Sequence, residues 1–443
     1  MPSTGAYSLS GTGAGTLDGL LASDGLDPTA RQSIIDFLKG QGDTSVVVQQ
    51  GGGPITDQTQ VLIAPVPDIT VDTDANPSVQ VVVDLDANVT VVGSDPNHAV
   101  FVATGGSNDT VTLQDAGNDI VMTGAGNDTV FGGTGSDTIH GGAGDDQLHG
   151  GSGDFQLLDG GDGNDTLWGG SGTSDTLVGG GGDDVLHAGT GDFQLLRGGQ
   201  GDDTLWGGSG VSDTLMGGRG DDVLHAGTGN FQVLEGGRGD DTLWGGIGTS
   251  DTLLGGRGDD VLHAGSGDFQ SLDGGRGNDT LWGGTGAADT LSGGSGDDVL
   301  HAGSGGGQSL SGGDGNDTLL GGTGPGDTLS GGAGDDVLHA SSGVHQLLDG
   351  GAGNDTLFAG TGGDTLLGGT GDDTFHVGSH GSDTIDGGTG TNTVFFDGHD
   401  SNHVSFSAPV SGVTTVTFTD THQTFQVSDV QTIHFDDGTH HNL

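Results

Sequence analysis

An all-β fold, built as a parallel solenoid of two facing sheets, is predicted for this chain by three observations. Glycine and aspartate recur in units of nine or ten residues from about Thr123 to Phe395. Four such units, nine, ten, nine and ten residues long, add to a superrepeat of 38 residues. Each unit ends in a three-residue apolar stretch of strand character, and tandem periods of this kind are the signature of repeat architectures.

The repeat itself comes first. One unit reads Gly160-Gly-Asp-Gly-Asn-Asp-Thr-Leu-Trp168, and the next, Gly169-Gly-Ser-Gly-Thr-Ser-Asp-Thr-Leu-Val178, carries one extra residue. Glycines at the first, second and fourth places permit backbone angles closed to other residues and let carbonyls turn inward. Strand alternation points the middle Leu of Thr-Leu-Trp inward and its neighbours outward. Two units then make one coil, with a thin aliphatic core between the sheets.

The flanks differ. Residues 1–78 hold one helix, with Asp27 as its cap, Pro28 at its first position and Gly40 at its stop. Its apolar face carries Ile34, Ile35, Phe37 and Leu38. Valine-rich segments follow, such as Val46–Val48 and Val61–Ile63. Residues 79–122 read as degenerate coils that cap the stack, because terminal repeats are atypical. Residues 123–395 form the regular array. The stretch 396–443 alternates apolar and polar residues, as in Val413–Phe418 and Val430–Phe435, and reads as short strands closing the other end.

Composition narrows the chemistry. The chain has 443 residues, 101 of them Gly, with 62 Asp and Glu against 7 Lys and Arg, for a formal net charge of −55. Only 30% of residues are hydrophobic, a balance that leaves too little apolar burial to offset chain entropy. Something must neutralise the acid, and a hard divalent cation is the candidate that takes carboxylates and carbonyls as ligands. A nucleic-acid partner is excluded by the same charge, since a polyanion is bound through Lys and Arg. No Cys is present, so thiolate metal sites are impossible. No apolar run is long enough for a membrane span, and residues 1–15 lack the pattern of a general secretory signal.

The unit resembles the glycine-x-aspartate nonapeptide of the RTX, or hemolysin-type repeat, calcium-binding proteins. That resemblance implies a right-handed parallel β-roll with calcium between successive loops. It also implies type I secretion to the extracellular space, and the segment Asp429–Gly438 resembles the closing segment common in such proteins. The sixth-place acids on the edge with nine-residue loops become the expected metal ligands: Asp128, Asp146, Asp165, Asp184, Asp203, Asp222, Asp241, Asp260, Asp279, Asp298, Asp317, Asp336, Asp355 and Asp373. An ion count on the order of ten or more follows, given ~6–8 oxygens per calcium ion.

The other edge departs from the family pattern. Asp119 and Asp137 are regular, but Asp175, Asp213, Asp251, Asp289 and Asp327 then alternate with Gln156, Gln194, Gln232, Gln270, Gln308 and Gln346. The extra residue is expected to shift these Asp along the loop and to weaken or abolish calcium binding there. In four coils that residue is Phe (155, 193, 231 and 269), which is expected to pack over the loop in place of the ion.

On the outer face, Trp168, Trp206, Trp244, Trp282, His187, His225, His263 and His301 should form one column. It serves either as a stack of rings that stiffens the sheet or as an aromatic platform for a partner. Paired His440 and His441 are expected to be a solvated tail. No His-Glu-x-x-His or Gly-x-Ser-x-Gly is present, so the chain is expected not to be an enzyme. The expected role is that of an extracellular matrix or cell-surface protein that associates with itself or with envelope polysaccharide. A calcium-dependent glycan-binding module is the alternative; ice binding by Thr rows and an accessory role in a secreted hydrolase are weaker ones.

Overall fold

The computed structural model describes residues 3–8, 17, 21, 26, 28–40, 45–50, 61–63, 68–75, 77, 80–83, 88–378 and 380–443. Two compact units divide the chain, residues 1–219 and 220–443, and each is a parallel β-solenoid of two sheets.

In the first unit, strand Thr166–Gly170 lies in one sheet and Thr176–Gly181 in the other. The chain returns at Val185, which pairs in parallel with Thr166, while Leu186 pairs with Leu167 and His187 with Trp168. One coil is therefore the 19 residues that separate Thr166 from Val185. Leu167, Leu177, Leu186 and Leu196 are all fully buried between the sheets, as strand alternation demands. The second unit repeats the plan: Leu224 pairs with Leu243, and Leu234 with Leu253. The core is thus a double file of leucines, one per strand, and its thinness leaves much of the holding to the loops.

The loops carry continuous backbone ladders. Gly163 N–H donates to the Gly181 carbonyl at 2.7 Å, and Gly182 N–H to the Gln200 carbonyl at 2.8 Å. Positive φ at Gly180 (118°) and Gly182 (123°) makes that path possible, and side chains with a Cβ rarely adopt such angles.

At the N-terminal end the parallel stack begins before residue 79, with Val61–Ile63 paired to Val81–Val83 and these to Phe101–Ala103. Helix Pro28–Gly40 packs on the outer face of this sheet. Ile34, Ile35 and Leu38 join Val61, Val81, Val83, Phe101 and Ala103 in one buried cluster. All three valines of Val81–Val83 are buried, since this sheet is covered on both faces and the regular coils are not. The helix bounds agree with the sequence reading; its capping residue, Asp27, lies outside the described residues.

At the other end, Thr424–Ser428 and Thr432–Phe435 add a last coil in parallel. Val404–Phe406 and Thr414–Phe418 then close the end as an antiparallel sheet with Thr424–Ser428. Phe396, Phe418 and Phe425 pack edge-on beneath it, with ring centroids 5.0–5.9 Å apart. The expected tail at His440 and His441 is instead strand His440–Asn442, antiparallel to Thr432–His434. These histidines are exposed, but His441 stacks on Phe406 at 4.2 Å.

Candidate metal centre

The sixth-place carboxylates line one edge of each unit and are withdrawn from solvent. All fourteen, from Asp128 to Asp373, are 1% exposed. One oxygen of each is engaged. Asp165 N–H donates to Asp184 Oδ1 at 2.8 Å, and Asp260 N–H donates to Asp279 Oδ1 at 2.7 Å. Each acid thus ties its coil to the one before it. The residue just ahead forms a second ladder running the opposite way: Asp183 N–H donates to Asn164 Oδ1, and Asp259 N–H to Asp240 Oδ1. The residue before each of the fourteen acids is Asn or Asp, and its side-chain oxygen is the acceptor this ladder uses.

The second carboxylate oxygen has no such partner. Oδ2 of Asp146, Asp165 and Asp184 in the first unit, and of Asp241, Asp260, Asp279, Asp298, Asp317, Asp336 and Asp355 in the second, is buried without a hydrogen bond. A buried anion without compensation is strongly unfavourable. Burial accordingly pushes these carboxyls up, with neighbouring acids adding to it: to about 7 for Asp184, about 8 for Asp241 and about 7 for Asp298. The space beside the orphaned oxygen is lined by a second oxygen. A methyl group on Gly293 would overlap both Asp298 Oδ2 and the carbonyl oxygen of Gly312. Two acceptors converging on one small space, with no donor between them, fit a hard cation.

Asn392 supplies an internal control. It ends the edge column where another Asp would stand, and its Oδ1 accepts the N–H of Asp373 at 2.8 Å. Its Nδ2 donates to the carbonyls of Gly387 (2.8 Å) and Asp429 (3.0 Å). Where the acid is replaced by an amide, an N–H fills the place that elsewhere calls for a cation.

The opposite edge corrects two expectations. Asp175 is not shifted along its loop relative to Gln156 and Gln194. Acid and amide occupy one column, both buried, and Gln156 N–H donates to Asp175 Oδ1 at 2.9 Å. The inserted residue bulges outward instead, with φ near +60° at Phe155, Ser174 and Phe193 and at Phe231, Ser250 and Phe269. Its N–H keeps the ladder by donating to the next coil, as Phe193 does to Val211 at 2.9 Å. The Phe side chains do not cover the loops: they are 56–69% exposed. The glutamines donate across the loop, while Oε1 of Gln156 and Gln194 and Oδ2 of Asp175 stay buried without a hydrogen bond. Gln194 Nε2 donates to the Gly172 carbonyl at 2.6 Å, and Gln270 Nε2 donates to the Gly248 carbonyl at 2.7 Å and reaches Asp251 Oδ2 at 3.4 Å.

On the outer face the rings form one column in each unit. Phe131, His149, Trp168, His187 and Trp206 stack successively in the first unit, at 4.8, 4.2, 5.9 and 6.3 Å. His225, Trp244, His263, Trp282 and His301 do so in the second, at 6.2, 4.0, 6.1 and 3.8 Å. Leu320 interrupts the column, which resumes through His339, Phe358, His376, Phe395 and His434. Phe131 and His149 at one end, and His376, Phe395 and His434 at the other, extend the column beyond the residues whose period was read from the sequence. Partial burial lowers the histidines, His187, His225, His263 and His301 among them. Trp206, Trp244 and Trp282 remain about two-fifths exposed (40–41%). Among the described residues, no helix is long and apolar enough to cross a membrane.

Comparison with protein families brings a match to the RTX calcium-binding nonapeptide repeat, in successive segments spanning residues 101–398. No individually curated protein matches the chain.

Proposed function

This chain belongs to the family of RTX calcium-binding nonapeptide-repeat proteins, and on that premise we propose a secreted, non-enzymatic role. The protein folds on calcium outside the cell and acts there as a matrix or cell-surface structural element. The observation that carries this reading is the column of buried carboxylates with one oxygen hydrogen-bonded and the other orphaned. Calcium bound between the coils supplies the positive charge that these oxygens lack. The loops hold the acids in place through the backbone ladder, and the glycines leave room beside them.

Where calcium is scarce, the acids repel one another and the chain stays loose enough for an export channel. Where it is abundant, binding to the folded state alone stabilises that state by mass action. Ion occupancy on the order of ten is the expectation for the Asp128–Asp373 edge, with ~6–8 oxygens around each ion. The glutamine edge is expected to take fewer ions, since its amides already donate into that space.

Self-association through the ring column is the interaction this reading favours, because Trp244 and Trp282 in the second unit, and Trp206 in the first, keep flat ring faces in solvent. The same surface supports a second reading, a calcium-dependent glycan-binding module, as flat rings also stack on sugar faces. Replacing Trp168, Trp206, Trp244 and Trp282 by Ser, with light scattering in calcium, tests the first. Loss of assembly with folding intact supports it; assembly unchanged by the substitutions removes its main support. A glycan array without a hit removes the second.

A further inference from the structure

Five of the chain's seven basic residues lie in the repeats, and four share one place in the unit: Arg219, Arg238, Arg257 and Arg276. Within the second unit, Arg238 pairs across the sheet with Arg257, and Arg257 with Arg276. All three are exposed, and none forms an ion pair with a described residue. Like charges set directly opposite on paired strands destabilise a sheet, and this chain has acids in abundance to alternate with them. Two residues on, Asp240 and Asp259 form a parallel row of exposed acids at the same rung spacing. Each uses one oxygen in the loop ladder: Asp240 Oδ1 accepts from Asp259 and Asp259 Oδ1 from Asn278, both at 2.8 Å.

We infer that the Arg238–Arg257–Arg276 row is a docking strip for a second copy of this chain, whose Asp240–Asp259 row it meets. Positive and negative rows lie side by side on one edge. A twofold axis parallel to the stacking direction sets the positive row of each copy against the negative row of the other. Both rows come from the same coil, so their charges share one pitch, ~4.8 Å, and stay in step over successive rungs. Such an interface is isologous and closes as a dimer. Repulsion between the two acidic chains is screened beyond ~8 Å at physiological ionic strength, whereas the facing rows act at contact. The inference rests on the self-associating role proposed above and names a surface distinct from the ring column.

The test is sedimentation velocity on the full calcium-loaded chain, from about 150 mM to about 1 M salt, where the Debye length falls from ~8 to ~3 Å. The wild type should dimerise at about 150 mM salt and dissociate as salt rises toward about 1 M, where even the facing rows are screened. Arg238→Gln/Arg257→Gln/Arg276→Gln should weaken dimerisation at least tenfold. Asp240→Asn/Asp259→Asn should weaken it alike. Asn278 already occupies that place and accepts the same ladder bond from Asp297 at 2.8 Å, so this second variant keeps its fold, as its circular dichroism in calcium should confirm. Either variant dimerising like the wild type overturns the docking strip and leaves assembly through the ring column standing. A wild type that folds with calcium but stays monomeric at every salt concentration overturns both.

Discussion

Asp373 and Asn392 sit at the same place in successive coils: the Asp373 N–H donates to Asn392 Oδ1 at 2.8 Å, as the Asp355 N–H donates to Asp373 Oδ1 at 3.0 Å. The difference lies in the other side-chain atom, an amide nitrogen with two carbonyl partners in Asn392 and an orphaned oxygen in Asp373. Asp260→Asn should therefore act with opposite signs in two conditions. In chelator it removes a buried unpaired acceptor, and should stabilise the folded state by about 1–3 kcal/mol. In saturating calcium it removes a ligand and should lower both stability and ion count. Urea titrations with and without calcium, beside metal analysis, check both signs.

The pH dependence of the metal-free protein follows from the same column. Folded-state values of about 6 to 8 for Asp165, Asp184 and Asp241 lie above the ~3.9 of an unfolded chain. A raised value means that the folded state binds protons more tightly. The resulting stability is fully present below about pH 4 and is lost as pH rises through 6 to 8. Chelated protein should thus gain β-structure on acidification from pH 8 to pH 5, as read by far-ultraviolet circular dichroism. A fall in β-signal over that range would contradict the assignment.

Phe193 stands at φ +60° and is 59% exposed. A bulky residue at such an angle costs about 1–2 kcal/mol relative to glycine, before any contact is counted. Phe193→Gly should therefore raise stability in calcium by about 1 kcal/mol. A packing role over the loop would instead make the substitution cost about 3–5 kcal/mol.

Much of this was legible in the sequence. The acid column, the inward leucines and the ring column follow from a period counted along the chain, because a solenoid turns sequence period directly into spatial column. The bulge was not legible: nothing in Asp-Phe-Gln announces that Phe takes the left-handed angle so that Gln can return to the Asp column. The glutamine's use of its amide follows only from that return. The docking of the helix left a trace in Val81-Val82-Val83, three consecutive apolar residues where a half-exposed strand would alternate. The arginine row follows from the same count, Arg219, Arg238, Arg257 and Arg276 standing 19 residues apart.

Gln194→Glu exchanges the donor at the Gly172 carbonyl for an acceptor of the same shape. In chelator it should destabilise the protein by about 1–3 kcal/mol. With calcium the loss should be partly recovered as an ion enters a place the amide had filled. Differential denaturation of the variant at low and high calcium measures the recovery.

The most direct measurement is a calcium titration of the intact chain, from chelator to millimolar levels, followed by circular dichroism and hydrodynamic radius together. The orphaned carboxylate column predicts a cooperative gain in β-signal as calcium rises, with contraction of the monomer or growth in mass where copies assemble. A chain equally folded and equally compact in chelator at neutral pH would contradict the claim that calcium completes the fold.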